Sequence, residues 1–285
     1  MYISITELLS SAKQQLLHAG VETDYYELRV LLAEALGTDV VNLPLRETEA
    51  DAKQIENFYF MLSERQKHKP IDKIIGRRGF YKYDFIVNTN VLSPRPDTEI
   101  LVENAISAIK KNNCKNILEL GVGSGCVISS ILADVPDING VGVDKSPSAL
   151  EIAQKNAEIL GVAKRLKLYE ADWFCEDFLS LVTEKFNIIV SNPPYISKQE
   201  LSELDKEVIL YDPIIALDGG EDGLESYRKI SILAPNLLTE GGLIFLEVGE
   251  NQADDVISVF EASGMHFHGI YKDLSGIKRC ISMKK

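Results

Sequence analysis

The sequence predicts an α/β protein, a mostly parallel sheet covered by helices, preceded by a small helical domain. Three observations carry that expectation. From Asn116 onward, short apolar runs alternate with helix-periodic stretches, the pattern of strands joined by crossover helices. The first of those runs passes directly into a glycine-rich turn, Gly121-Val122-Gly123-Ser124-Gly125, as happens where a strand delivers the chain to a helix start that faces an anionic ligand. Before Lys69, by contrast, apolar residues recur only at helical spacing.

Taken in order, Leu8, Leu9, Ala12 and Leu16 form one apolar helix face, and Tyr26, Val30, Leu31 and Ala35 form another. Thr23-Asp24 and Gly37 supply start and stop signals for the second helix. Leu43-Pro44 opens a turn before a third, expected at about Ala52 to Gln66. Residues 1–75 are therefore expected to be a helical domain; with no catalytic grouping in it, its role is packing or the grip on a macromolecular partner. Residues 76–90, with Gly79-Phe80-Tyr81 followed by Tyr83, Phe85 and Val87, read as a hairpin linker, and residues 91–285 as the larger domain. At the start of that domain Pro94 and Pro96 fix a turn, and Asp97 or Thr98 is expected to cap a helix running through Leu101, Ala105 and Ile109. Capping does not account for Arg95, which belongs either near the site or on the surface.

The first strand of the sheet is Ile117 to Leu120, and the second, Gly140 to Val143, ends at Asp144. An acidic residue about 20 positions beyond a glycine turn is placed to bond ribose hydroxyls, so the pair points to an adenosine-type ligand. Cys126 stands where a dinucleotide fingerprint wants its third small residue, which disfavours a nicotinamide or flavin dinucleotide. A third strand, Leu166 to Tyr169, leads to Asp172 and Trp173, a carboxylate able to bond an exocyclic amine and an indole able to stack on a purine. The fourth, Phe186 to Val190, delivers Asn192-Pro193-Pro194-Tyr195. Two prolines remove two N–H donors and hold the chain extended, leaving the Asn192 side-chain oxygen and the Pro193 carbonyl as neighbouring acceptors. Side-by-side acceptors suit a planar NH2 group, with Tyr195 against its flat face. A charged helix from Lys198 and a glycine-rich loop from Ala216 to Gly223 follow. Leu243 to Gly249 is a fifth strand, and Phe267 to Tyr271 and Lys278 to Ser282 close the sheet antiparallel.

Composition narrows the function classes. With 30 Lys and Arg against 43 Asp and Glu, the net charge of −13 excludes a broad phosphate-binding surface. Cys114, Cys126, Cys175 and Cys280 are widely spaced, as reduced thiols are, and the four histidines complete no metal set with them. The N-terminal segment lacks the basic start and apolar core of a signal peptide, and no apolar run is long enough for a membrane span, so a cytoplasmic protein is expected.

The glycine turn, Asp144 and the tetrapeptide together resemble the class I methyltransferases that use S-adenosylmethionine. The likeness narrows through Pro94-Arg95-Pro96-Asp97-Thr98-Glu99, Asp172-Trp173-Phe174, Ser191 to Ile196, Gly219-Gly220 with Asp222-Gly223-Leu224, and Asp273-Leu274-Ser275-Gly276. These stretches are similar to those of the peptide chain release factor glutamine methyltransferases, which also begin with a helical domain; Gly79 departs from the acidic residue common there. The resemblance implies a Rossmann-like, mostly parallel seven-stranded sheet and S-adenosylmethionine as cofactor. It implies Gly121, Val122, Gly123, Ser124, Gly125, Asp144, Asp172, Trp173 and Asn192 as the cofactor site, with Asn192, Pro193, Pro194 and Tyr195 on the substrate. Asn192, Pro193 and Tyr195 are the expected catalytic set, without a metal. Methyl transfer to the glutamine side-chain nitrogen in the Gly-Gly-Gln loop of class 1 release factors is the implied activity, with residues 1–75 recognising that protein. The alternative is an adenine-N6 methyltransferase, since the tetrapeptide also suits a base amine, but the acidic charge opposes it.

Overall fold

The computed structural model describes residues 2–285; Met1, the first residue of the expected helical domain, lies outside them. In chain order the elements begin with β1 (Tyr2–Ser4), α1 (Ile5–His18), α2 (Tyr25–Leu36), β2 (Glu47–Glu49), α3 (Ala52–Arg65) and α4 (Ile71–Ile75). Next come β3 (Arg77–Phe80), β4 (Tyr83–Ile86), α5 (Glu99–Asn112), β5 (Asn116–Leu120), α6 (Cys126–Asp134), β6 (Asn139–Asp144), α7 (Pro147–Ile159) and β7 (Leu166–Glu170). The chain continues with α8 (Phe178–Leu181), β8 (Phe186–Ser191), α9 (Lys198–Leu201), α10 (Lys206–Tyr211), α11 (Glu225–Leu237) and β9 (Leu238–Glu247). It ends with α12 (Ala253–Ala262), β10 (His266–Lys272) and β11 (Lys278–Lys284).

These elements fall into two compact units. The first joins residues up to 77 with the distant segment 205–211. Its core takes Leu9, Ala12 and Leu16 from the expected α1 face and Leu31 and Ala35 from the expected α2 face, closed by Ile5, Leu28, Leu32 and by Phe58 and Leu62 of α3. Val30 stays outside this core and Tyr26 is 66% exposed, because the buried stripe of α2 runs through Leu28 and Leu32 instead. Side chains cap all three helices: Ser4 accepts from Glu7 N–H, Asp24 from Glu27 N–H, and Asp51 forms a reciprocal capping box with Gln54. Two other features of this unit also differ from the sequence reading. A three-residue ribbon pairs β1 with β2, too short to leave an alternation in the sequence. The charged helix expected from Lys198 is broken, and its second half, α10, belongs to this unit: the buried Arg65 guanidinium reaches Glu207 at 2.6 Å and Tyr211 O–H donates to the Lys67 carbonyl.

The second unit is built on a seven-stranded sheet in the order β10-β11-β9-β8-β5-β6-β7. The pairs β9–β8, β8–β5, β5–β6 and β6–β7 are parallel, while β11 runs antiparallel to both its neighbours. Unbroken apolar runs in the central strands bury both faces, as helices on either side require. Leu118, Leu120, Ile189, Ile244 and Leu246 join one core with α11 and α12; Ile117, Ile188, Val190, Leu243 and Phe245 join the other with α5 and α6. The β3–β4 hairpin packs Phe80 and Phe85 edge to face, 6.0 Å apart, within that second core. After β5 the chain moves outward to β6 and β7, then returns to place β8 on the other side of β5. Strand order reverses there, so the loops after β5 and β8 diverge and open a crevice at the carboxyl ends of the strands.

Candidate cofactor and acceptor site

A cavity of about 550 Å³ opens at that crevice, in the size range of small-molecule sites. Its floor is the turn after β5. Gly123 has φ +53° and nothing within 4 Å of the place a Cβ would occupy, so its backbone is laid open to the cavity. On either side the turn is packed hard: a Cβ on Gly121 would stand 3.1 Å from the Trp173 ring, and one on Gly125 3.0 Å from Ala153. The glycines thus let the chain pass between two walls, their N–H groups held by Val143, Asp144 and Val122 while the Gly123 backbone stays open to the cavity.

At the end of β6 the Asp144 carboxylate spans that turn, accepting from Gly123 N–H at 2.8 Å and Ser146 N–H at 2.9 Å. A carboxylate has about four acceptor positions, so both oxygens keep capacity for hydroxyls of a ligand. Beyond β7, Asp172 uses one oxygen on Phe174 N–H, and Trp173 lies 7% exposed with its Nε1 lacking a partner. An orphaned indole N–H in a cavity wall and an exposed glycine backbone beside a carboxylate make a cradle that fits an adenosine-type group. Gly121, Val122, Gly123, Ser124, Asp144, Asp172, Trp173, Asn192 and Pro194 all line this cavity, whereas Gly125, Pro193 and Tyr195 do not.

The tetrapeptide after β8 is held from behind. Gln252 donates to the Tyr195 carbonyl at 2.9 Å while its oxygen accepts from Gly249 N–H. Ile196 N–H donates to Leu217 O, and Gly219 N–H donates back to Ile196 O. This is the use of the loop from Ala216 to Gly223: a Cβ on Gly219 would sit 2.7 Å from the Tyr195 Cα, so only glycine admits the approach. Tyr195 itself is partly buried against the core, and burial pushes its hydroxyl pKa up.

Several residues of the site carry other readings in the sequence. Thr98 makes no side-chain cap for α5, and Asp97 pairs with Arg279 at 3.1 Å instead; a 3₁₀ turn begun by Pro96 leads into the helix. Thr98 Oγ1 accepts from Asn192 Nδ2 at 3.3 Å. Arg95 lines the cavity and pairs with the buried Asp212 at 3.0 Å. Two acidic residues are buried in apolar strands. Glu119 in β5, 2% exposed, accepts from Ile128 N–H at the start of α6, and burial pushes its pKa well up. Glu247 ends β9 and is 3% exposed. Both had a signal in the sequence, because a carboxylate inside an apolar run demands a compensating partner. Among the described residues no cluster of His, Cys, Asp and Glu is arranged to hold a metal, and no helix is long and apolar enough to cross a membrane.

This geometry makes Asp144 the test of the cradle. Asp144→Ala is expected to weaken binding of S-adenosylmethionine by about tenfold to a hundredfold, the worth of a charge-assisted bond of about 1.5–3 kcal/mol. Calorimetry checks it; unchanged affinity in a folded variant would remove Asp144 from the site.

The Methyltransferase small domain family model matches residues 95–218, and the PrmC N-terminal domain model matches residues 7–76. The release factor glutamine methyltransferase of Caulobacter vibrioides is 36% identical over 284 residues, covering 99% of this chain and 96% of its own. That of Cereibacter sphaeroides is 37% identical over 279 residues, covering 98% and 97%. Among solved structures, a methyltransferase from Pyrococcus furiosus superposes with a TM-score of 0.51 at 15% identity, over 72% of this chain and 90% of that one. The hMettl16 catalytic domain in complex with MAT2A 3′UTR hairpin 6 gives 0.54 at 12% identity, over 70% and 74%. Those two likenesses speak for the fold, and the two full-length relatives for the family. With both of its domains matched in order and more than a third of its residues identical from end to end, the chain belongs to the release factor glutamine methyltransferase family.

Proposed function

We propose that this protein transfers a methyl group from S-adenosylmethionine to the side-chain amide nitrogen of the glutamine in the Gly-Gly-Gln loop of class 1 release factors, in the cytoplasm and without binding nucleic acid directly. The observation that carries this reading is Asn192 at the wall of a cavity whose floor suits an adenosine-type group, its Nδ2 donating to Thr98 Oγ1 so that Oδ1 is left as the acceptor for a substrate NH2. When bound, the cofactor supplies a methyl group already activated on a sulfonium.

The protein's task is then alignment. An amide nitrogen is a poor nucleophile because its lone pair is delocalised, and it gains positive charge as it is alkylated. Asn192 Oδ1 and the Pro193 carbonyl would each accept one of its N–H groups, aiming the nitrogen and stabilising that charge with dipoles fixed in advance. We assign Tyr195 to the flat contact with the amide, and Pro194 to the wall beside it. No general base is required, since the proton becomes acidic once nitrogen is alkylated and leaves to water. Gly121 to Gly125, Asp144, Asp172 and Trp173 are assigned to the cofactor.

The helical residues up to about 75 are assigned to recognition of the protein substrate, because one glutamine offers too little surface for selectivity. Their exposed aromatics support this: Tyr26 of α2 is 66% exposed and Phe60 of α3 62%. Changing both to Ser is expected to raise KM for intact release factor by about tenfold, since exposed aromatics are favoured anchors, and to leave cofactor affinity unaltered. An unchanged KM would place recognition elsewhere.

Asn192 tests the chemistry. In single-turnover assays at saturating cofactor, Asn192→Ala is expected to slow transfer by about 10²–10³, roughly 2.7–4 kcal/mol, with at most a minor loss of cofactor affinity. Tyr195→Ala should be milder and Tyr195→Phe milder still. Near-normal transfer by Asn192→Ala, or a defect fully rescued by more cofactor, would reduce the tetrapeptide to a structural turn.

A further inference from the structure

Asp97, just ahead of α5, and the stretch Asp273-Leu274-Ser275-Gly276 between β10 and β11 take no part in methyl transfer as derived above. The fold joins them through Arg279. Its Nε lies 3.0 Å from Asp273 Oδ2 and 3.1 Å from Asp97 Oδ2. Among the described residues neither Nη of Arg279 makes a hydrogen bond, and neither is sealed from solvent. A guanidinium held at its Nε edge by two carboxylates therefore keeps the amino groups of its planar fork open to a partner.

Strand register sets this fork beside the acceptor segment. Because β11 is antiparallel to β9 and β10 antiparallel to β11, the turn between β10 and β11 falls at the same end of the sheet as the crevice. Leu246 pairs with Ser191 and Glu247 with Cys280, and the Arg279 carbonyl accepts from Val248 N–H, so Arg279 stands level with the tetrapeptide. In the order β11-β9-β8 two strand spacings separate Arg279 from that segment, roughly 10 Å at about 4.8 Å each. An extended peptide crosses that distance in about three residues.

The turn is built to hold its shape. Asp273 Oδ1 accepts from Ser275 N–H and Ile277 N–H, both at 2.9 Å, while Asp273 N–H donates to Ile277 O and Gly276 N–H to Asp273 O. On this braced turn Leu274 is fully exposed and packs on nothing. A fixed turn that shows a leucine to solvent has met the ordering cost of a contact before any partner arrives. Two carboxylates against one guanidinium leave the cluster net negative, which favours a neutral acceptor such as a peptide carbonyl over an acidic group. We infer that Arg279 and the 273–277 turn form a docking surface for the protein substrate, the Arg279 fork taking main-chain carbonyls about three residues from the methylated glutamine and Leu274 an apolar side chain of the same domain. The inference rests on the proposed seat of that glutamine at Asn192.

Steady-state methylation of intact class 1 release factor tests this. Arg279→Lys keeps a cation between the two carboxylates but loses the fork, and is expected to raise KM for release factor by about tenfold. Leu274→Ser alters a side chain that packs on nothing, so it folds as wild type does, and it should raise KM by about fivefold to tenfold. In both variants kcat at saturating release factor, and cofactor affinity by calorimetry, should stay within about twofold of wild type. An unchanged KM in either variant overturns the inference. So does a fall in kcat without a rise in KM, which would make Arg279 only a brace for Asp97, or a loss of cofactor affinity, which would assign the fork to the cofactor. Any of those results with release factor methylated by wild type leaves the methyl-transfer reading standing, whereas release factor left unmodified by wild type overturns that reading and this inference together.

Discussion

The site depends on how a proline-paired segment is held. Asn192-Pro193-Pro194-Tyr195 continues straight from a central strand, yet its two prolines offer no N–H to any ladder. The segment is secured instead from its far end and from behind, by Gln252 on the Tyr195 carbonyl and by the exchange of hydrogen bonds between Ile196 and the 217–219 backbone. That exchange demands a close backbone approach, which Gly219 alone permits. The glycine loop after residue 216 and the Gln252 turn are therefore parts of the acceptor site, though neither lends Asn192 a direct contact. Rigidity obtained this way leaves the acceptors of the segment free, which is what a substrate NH2 requires.

The opposite half of the crevice solves a complementary problem. There the turn after β5 is opened by glycines and braced between Trp173 and α7, and a carboxylate straps it at Gly123 and Ser146. The reversal of strand order between β5 and β8 puts the glycine turn and the acceptor-rich segment at one cavity. The Asp144 and Asp172 carboxylates on one side suit the hydroxyls and exocyclic amine of a cofactor, and the acceptors on the other suit the amide NH2 of a substrate.

Much of this was legible in the sequence because it is local. Strands β5 to β8 announce themselves as apolar runs, and the glycine turn, Asp144 and the tetrapeptide each sit at the end of one. What escaped is set by contacts between distant stretches. The helix expected from Lys198 is split because Arg65 draws Glu207 into the helical unit, a pairing no local pattern encodes. Thr98 looks like a cap by position, but Pro96 starts a 3₁₀ turn that makes a cap unnecessary, and its hydroxyl serves Asn192, 94 residues away. Glu247 is a single acidic residue at the end of an apolar strand, and its partner, the Tyr195 hydroxyl at 3.5 Å, comes from a segment 52 residues away.

The central claim is that this crevice methylates a glutamine side chain in a protein. Its most direct test is mass spectrometry of a class 1 release factor after incubation with the enzyme and S-adenosylmethionine, with fragmentation of the peptide that carries Gly-Gly-Gln. The account predicts one added methyl group, on the side-chain nitrogen of that glutamine. A release factor recovered unmodified by an enzyme that binds the cofactor, or transfer of the methyl group to adenine in nucleic acid, would contradict it.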